Sequence, residues 1–172
     1  MQPFTVFGRK KMKSYIRNKM TFRGESEDLR VLRDRIAESA GSEAISLAGI
    51  IPAGESEEER KELWGTESEA EETDVILYRN DTILEYTFDT LSDPPVPVFR
   101  KLASDNPGLR MTVKWAHEDI GPDSRCGIFE SEEGSGELTE AEPDDAFELA
   151  CEVWDRDPDE ERMELEINFM EE

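Results

Sequence analysis

The chain of 172 residues carries 43 acidic against 20 basic side chains, a formal net charge of −23, and its apolar share is 36%. That is the size of one domain with one modest core, and such a surface repels nucleic acid and anionic membranes while it attracts basic partners over roughly 8 Å at physiological salt. No apolar run nears the roughly 20 residues of a membrane span and the N-terminus lacks the apolar centre of a signal peptide, so a cytoplasmic protein is expected.

The charge is unevenly spread. Residues 1–33 have a net charge of +6, residues 34–117 of −10 and residues 118–172 of −19. Residues 1–13 hold Arg9, Lys10, Lys11 and Lys13 without periodicity and are expected to form a basic flexible arm. From Tyr15 to Arg23, Ile16, Asn18, Met20 and Phe22 alternate with Arg17, Lys19, Thr21 and Arg23, the pattern of a strand with a cationic outer side. Ser26 is placed to cap a helix with Leu29, Leu32, Ile36 and Ala40 on its inner stripe and Gly41 at its end.

Ala44 to Ile51 is an apolar run that fits a strand or an extended crossing segment, followed by a short Glu-rich helix over 55–63 and a polar loop from Glu67 to Thr73. Val75 to Tyr78 and Ile83 to Phe88 form an antiparallel pair through the turn Arg79-Asn80-Asp81. Pro94, Pro95 and Pro97 stop the second strand and start a helix with Phe99, Leu102 and Ala103 on one stripe, closed by Asn106-Pro107-Gly108. Met111, Val113 and Trp115 then alternate with polar residues, and 125–131 reads as a last sheet strand.

Glu132 to Glu140 is rich in Gly, Ser and Glu and reads as a linker or acidic loop. Pro143-Asp144-Asp145 opens a helix whose docking face would hold Phe147, Ala150, Cys151 and Trp154. Met163, Leu165, Ile167 and Phe169 alternate with Glu164, Glu166 and Asn168, which suggests a terminal strand or else an uneven helix. Three regions result: the arm 1–13, an antiparallel domain over 14–131, and an acidic extension over 132–172 docked on it.

Chemistry is sparsely marked. Cys126 and Cys151 have no CxxC or histidine spacing and are expected to be buried free thiols, and His117 stands alone, too little for a zinc or histidine-based centre. There is no Walker loop, GxGxxG or serine elbow, and the Glu-rich runs lie where carboxylates do not converge on one cavity, so neither an enzyme nor a cofactor or metal is expected. Trp64 and Trp115 are assigned to the core.

The order of strand, helix, strand, short insertion, hairpin strand, helix, strand and strand is close to that of a ferredoxin-like α+β fold, an antiparallel sheet with two packed helices, here extended by an acidic C-terminal helix and a possible terminal strand. Met12 to Gly24, Ile50-Ile51-Pro52, Trp64-Gly65-Thr66 and above all Phe88 to Pro97 (FDTLSDPPVP), followed by Phe99 to Leu109 and Gly127, resemble the YubB-type ferredoxin-like domain of plasmids and phages over residues 12–131. The resemblance implies that fold and an origin on a mobile element; the family brings no established activity. Two positions depart from it: Leu91-Ser92-Asp93 stands where an aromatic commonly precedes the double proline, and the loop after Trp64-Gly65 lacks a second tryptophan.

The functional expectation is an acidic mimic of nucleic acid, because DNA presents one charge per roughly 1.7 Å of axis and carboxylates on a rigid surface can approximate that field. Its target would be a basic surface of a host defence nuclease of a CRISPR or restriction system, and inhibition the outcome. The residues expected to meet it are Glu57, Glu58, Glu59, Glu69, Glu71 and Glu72 in the first half, with Glu148, Glu152, Asp155, Asp157 and Asp159 in the extension. Two other readings use the same chain: an adaptor or housekeeping domain from a salt-adapted host, and a nucleic-acid-binding module that uses the basic first strand.

Overall fold

A computed structural model describes residues 14–41, 43–121 and 124–171. The expected arm over 1–13 lies outside them. The fold is α+β: six strands form one antiparallel sheet, and six helices lie among the described residues. The strands are β1 (Tyr15–Arg23), β2 (Glu71–Tyr78), β3 (Ile83–Leu91), β4 (Arg110–His117), β5 (Cys126–Glu132) and β6 (Ser135–Glu140). Helices α1 (Ser26–Ala40), α2 (Leu47–Ile50) and α3 (Glu57–Trp64) fall between β1 and β2, α4 (Val96–Asp105) between β3 and β4, and α5 (Pro143–Val153) and α6 (Pro158–Glu171) follow β6.

The sheet order is β2-β3-β1-β4-β5-β6, which puts the first strand in the middle. Its alternation decides the layers. Met20 and Phe22 stand opposite Tyr86 and Leu84 of β3 and Val113 and Met111 of β4, so all of them share one face. Helices α1 to α4 cover that face with Leu29, Leu32, Ile36, Leu47, Trp64, Val98, Phe99 and Leu102, in the main core. Both tryptophans assigned to the core, Trp64 and Trp115, are buried, Trp64 within this cluster. Asn18 is also buried on this face, and its amide donates to Phe88 O at 3.3 Å and Thr90 Oγ1 at 3.2 Å.

Five features differ from the sequence expectations. The run 44–51 holds the short helix α2, capped by the Ser46 hydroxyl that accepts from Gly49 N at 3.3 Å; it is neither strand nor crossing segment. The expected loop 67–73 already enters β2 at Glu71, with a register shift between Glu71 and Asp74 and Glu72 at φ 50°. Glu25, not Ser26, is the N-cap of α1, and it makes no side-chain cap bond. Residues 135–140, expected to be a linker, pair with β5 from Gly127↔Glu140 to Glu132↔Ser135, so the sheet runs on past residue 131. Of the two readings of the last segment, the first is overturned: it is helix α6 and not a terminal strand.

Candidate interaction surface

The opposite face of the sheet carries the odd-numbered residues of β1. Helix α5 covers its end near Ala116 and Cys126 with Ala146, Ala150 and Val153, a second and smaller core built from short side chains. Of the expected stripe of Phe147, Ala150, Cys151 and Trp154, Ala150 and Cys151 are buried, while Ala146 and Val153 are buried in place of Phe147 and Trp154. Phe147 and Trp154 flank the buried face instead, each beneath a cation: Arg162 lies 5.0 Å from the Phe147 ring centroid, and Arg17 lies 4.2 Å from that of Trp154.

Register puts like charges opposite one another on this face. Lys19 stands across from Lys114. Helix α5 resolves that pair: Lys19 Nζ bonds Asp155 Oδ1 at 2.6 Å and Glu152 O at 3.1 Å, and Lys114 Nζ bonds Glu152 Oε1 at 2.8 Å. Arg17 makes a bidentate pair with its cross-strand neighbour Asp89, at 2.9 and 3.1 Å, and this bonding raises the guanidinium further above its usual range. The basic stripe of β1 is thus largely taken up by the chain's own acids.

Beyond the covered end, the outer face of β4, β5 and β6 and the flank of α5 enclose an open groove of about 1230 Å³. Thr112, Ile128 and Thr139 line its floor, with Leu149 on the α5 wall. Glu130 and Glu137 rise from the floor directly opposite each other on β5 and β6. Side chains so placed are roughly 4.5–5.5 Å apart at Cβ, and like charges there are destabilising by up to about 1 kcal/mol. Unlike the lysine pair, neither makes an ion pair among the described residues, and the same holds for Glu140, Glu142 and Asp145 on the rim, although Arg23 of β1 lines the same groove. Arg110 at the far end is held by Glu132 at 3.7 Å.

The eleven expected partner-binding carboxylates separate into several groups. Glu148 and Glu152 line the groove, with Glu148 3.5 Å from Arg162. Asp155 sits beside them on Lys19, and Asp157 caps α6 by accepting from Asp159 N at 2.8 Å. Asp159 lies 3.4 Å from Arg162. Glu57, Glu58 and Glu59 form the first turn of α3, on the other side of the sheet, where negative charge suits the helix dipole; Glu59 also accepts from Gly54 N at 3.0 Å. Glu69 is a structural cap: it accepts from Leu47 N, Ala48 N and the Ser46 hydroxyl at the start of α2. Glu71 and Glu72 belong to β2 at the opposite edge of the sheet, where the Glu71 carboxylate holds the Tyr15 phenol above its usual range. The structure does not bring these groups together. It assembles Glu148 and Glu152 with Glu130, Glu137, Glu140, Glu142 and Asp145, none of which belongs to the expected set.

Both cysteines are buried and free, and burial pushes the Cys126 thiol up to about 11. His117 Nδ1 accepts from Asp119 N at 3.2 Å. Among the described residues no group of three or more His, Cys, Asp or Glu is arranged to hold a metal ion, and no helix is long and apolar enough to cross a membrane. No protein-family model, curated protein or solved structure compared with the chain matches it.

Proposed function

We propose that this chain is an acidic interaction protein, with a ferredoxin-like unit formed by β1 to β4, α1 and α4, and that its groove takes up a basic surface of another macromolecule. In its particular form, the reading is a YubB-type protein of a mobile element that occupies the nucleic-acid channel of a host defence nuclease and inhibits it. The ferredoxin-like assignment is supported by the order β2-β3-β1-β4 together with the sequence of strands and helices.

The observation that carries the functional reading is the pair Glu130 and Glu137. A fold that neutralises the opposed lysines Lys19 and Lys114 with Asp155 and Glu152 leaves the opposed glutamates without an ion pair among the described residues. Local rules of stability are broken most often where a protein does its work. Lysine or arginine from a partner would remove the repulsion, while its aliphatic stem would lie on Ile128 and Leu149. The involvement of Arg17 and Lys19 in internal pairs favours this reading over direct nucleic-acid binding by the first strand.

The test is competition: purified host nuclease effectors are titrated with labelled DNA in the presence of the chain. Displacement of DNA by the chain, weakened at least tenfold by Glu130→Gln with Glu137→Gln and by raising salt, is the expected result. Undisturbed DNA binding by every nuclease of the host, with unchanged restriction of phage or plasmid transfer, would overturn it.

A further inference from the structure

Helix α6 combines features that a helix serving only as a cover would not need. Its residues Glu161 and Leu165 are half-buried, and Arg162 pairs with Glu148 of α5 and lies over Phe147, so this side faces α5 as far as Leu165, while Phe169 one turn on is 78% exposed. Met163, Ile167 and Met170 follow at i, i+4 and i+7 on another side and are 62%, 53% and 83% exposed. At 100° per residue, Asp159 and Glu166 lie along one border of that stripe and Glu160 and Glu164 along the other. The apolar stripe is thus continuous, outward and fenced by carboxylates.

We infer that this face of α6 inserts into an apolar groove whose rim carries lysine and arginine on a partner protein. Charge selects the occupant. A second copy of the chain would bring the same carboxylates against each other on a molecule of net charge −23, whereas a basic rim pairs with them while Met163, Ile167 and Met170 fill the groove between. Methionine suits this task because its unbranched chain adapts to a surface. The ridge is joined to the wall of the sheet groove through the Arg162–Glu148 contact, so one basic partner can reach both. The inference rests on the basic-partner reading but not on the groove.

The probe is a designed antiparallel two-helix hairpin with a leucine groove flanked by lysines, alongside a twin flanked by glutamates. Full-length chain with 13C-labelled methionine methyl groups is titrated with each. Shifts at Met163 and Met170, at least tenfold weaker binding after Ile167→Gln, and at least tenfold weaker binding of the glutamate twin are expected. Since Ile167 is exposed, this substitution leaves the fold intact, as circular dichroism will verify. Three results would overturn the inference: equal binding of both hairpins; binding abolished by Glu130→Gln with Glu137→Gln yet indifferent to Ile167→Gln; or a dimer of the free chain in sedimentation that Ile167→Gln dissolves. The first two leave the nuclease competition test unaffected, so the two readings can fail separately.

Discussion

The attachment of α5 depends on Trp154 more than on its inner residues, and Trp154→Ala measures this. The buried face of the helix is short: Ala146, Ala150 and Val153 meet Ala116 and Cys126. At its end, the Trp154 indole donates to Ala116 O at 3.0 Å and carries Arg17 at 4.2 Å from the ring centroid, with the ring itself half-buried. The hydrogen bond is worth about 1 kcal/mol, the cation contact about 0.5–1 kcal/mol, and the half-buried ring about 1 kcal/mol. The nearby ion pairs add less, since Asp155 and Glu152 are 76% and 56% exposed in their side chains. Truncation should therefore cost about 3 kcal/mol, a roughly hundredfold rise in the opening equilibrium. Amide hydrogen exchange across 146–153 reads it directly, with β1 and β3 as the internal reference. Trp154→Phe, which keeps a ring under Arg17 and loses the bond to Ala116, should show about a third of the effect. If exchange in α5 changes by less than about twofold in Trp154→Ala, the helix is held by something other than this corner and the reasoning fails.

Two further predictions concern the hairpin and the thiols. A Cβ at Gly127 would stand 2.6 Å from Thr139 O and 2.8 Å from Trp115 Cζ2, so Gly127→Ala should lower the stability in urea by about 1–3 kcal/mol, and a loss under about 0.5 kcal/mol would show that β6 yields freely. Burial raises Cys126 to about 11, with Glu140 adding to it, and raises Cys151 as well, so both should resist disulfide exchange reagents at pH 8 and react once the chain is unfolded. Because the folded pKa lies above the unfolded value of about 8.5, this contribution to stability is complete below that pH and is lost as the pH rises toward 11. Urea midpoints should fall over that window less steeply in Cys126→Ala; rapid labelling of the native chain at pH 8 would contradict the burial argument.

Much of the fold is legible in the pattern of residues, and the misses have identifiable causes. In β1, β3, β4 and α4 the apolar period agrees with the turn signals at both ends, and all four occur as expected within a residue or a few. In α6 the sequence alternates Met163, Leu165, Ile167 and Phe169, which reads as period two. Two interleaved stripes on different sides of a helix make the same pattern, because positions two apart differ by 200° and positions four apart by only 40°. Of the two, only Leu165 is half-buried on the side of α5, while Met163, Ile167 and Phe169 are exposed, a pattern that no local rule of periodicity can separate from a strand. For β6 the difficulty is opposite: its composition is that of a linker, and it is a strand because β5 offers it an edge. Gly136 could not bear a side chain there, since a Cβ would come within 2.5 Å of the Phe129 ring.

This second miss conceals the candidate site. Counted along the chain, every acidic run looks alike, and the densest runs draw the expectation. Density proved a poor guide, since close carboxylates often serve the backbone beside them: Glu69 caps α2, Asp157 caps α6 and Glu59 holds Gly54. What separates Glu130 and Glu137 from these is a relation between strands, seven residues apart in sequence and directly opposite in the sheet. It exists only if 135–140 pairs with β5, in that register and no other, since a slip by one residue would turn Glu137 to the face of Phe129. The opposition of Glu130 and Glu137 is therefore set by hydrogen bonds of the backbone. A variant that loses the β5–β6 register should lose the affinity of the groove even with every carboxylate retained.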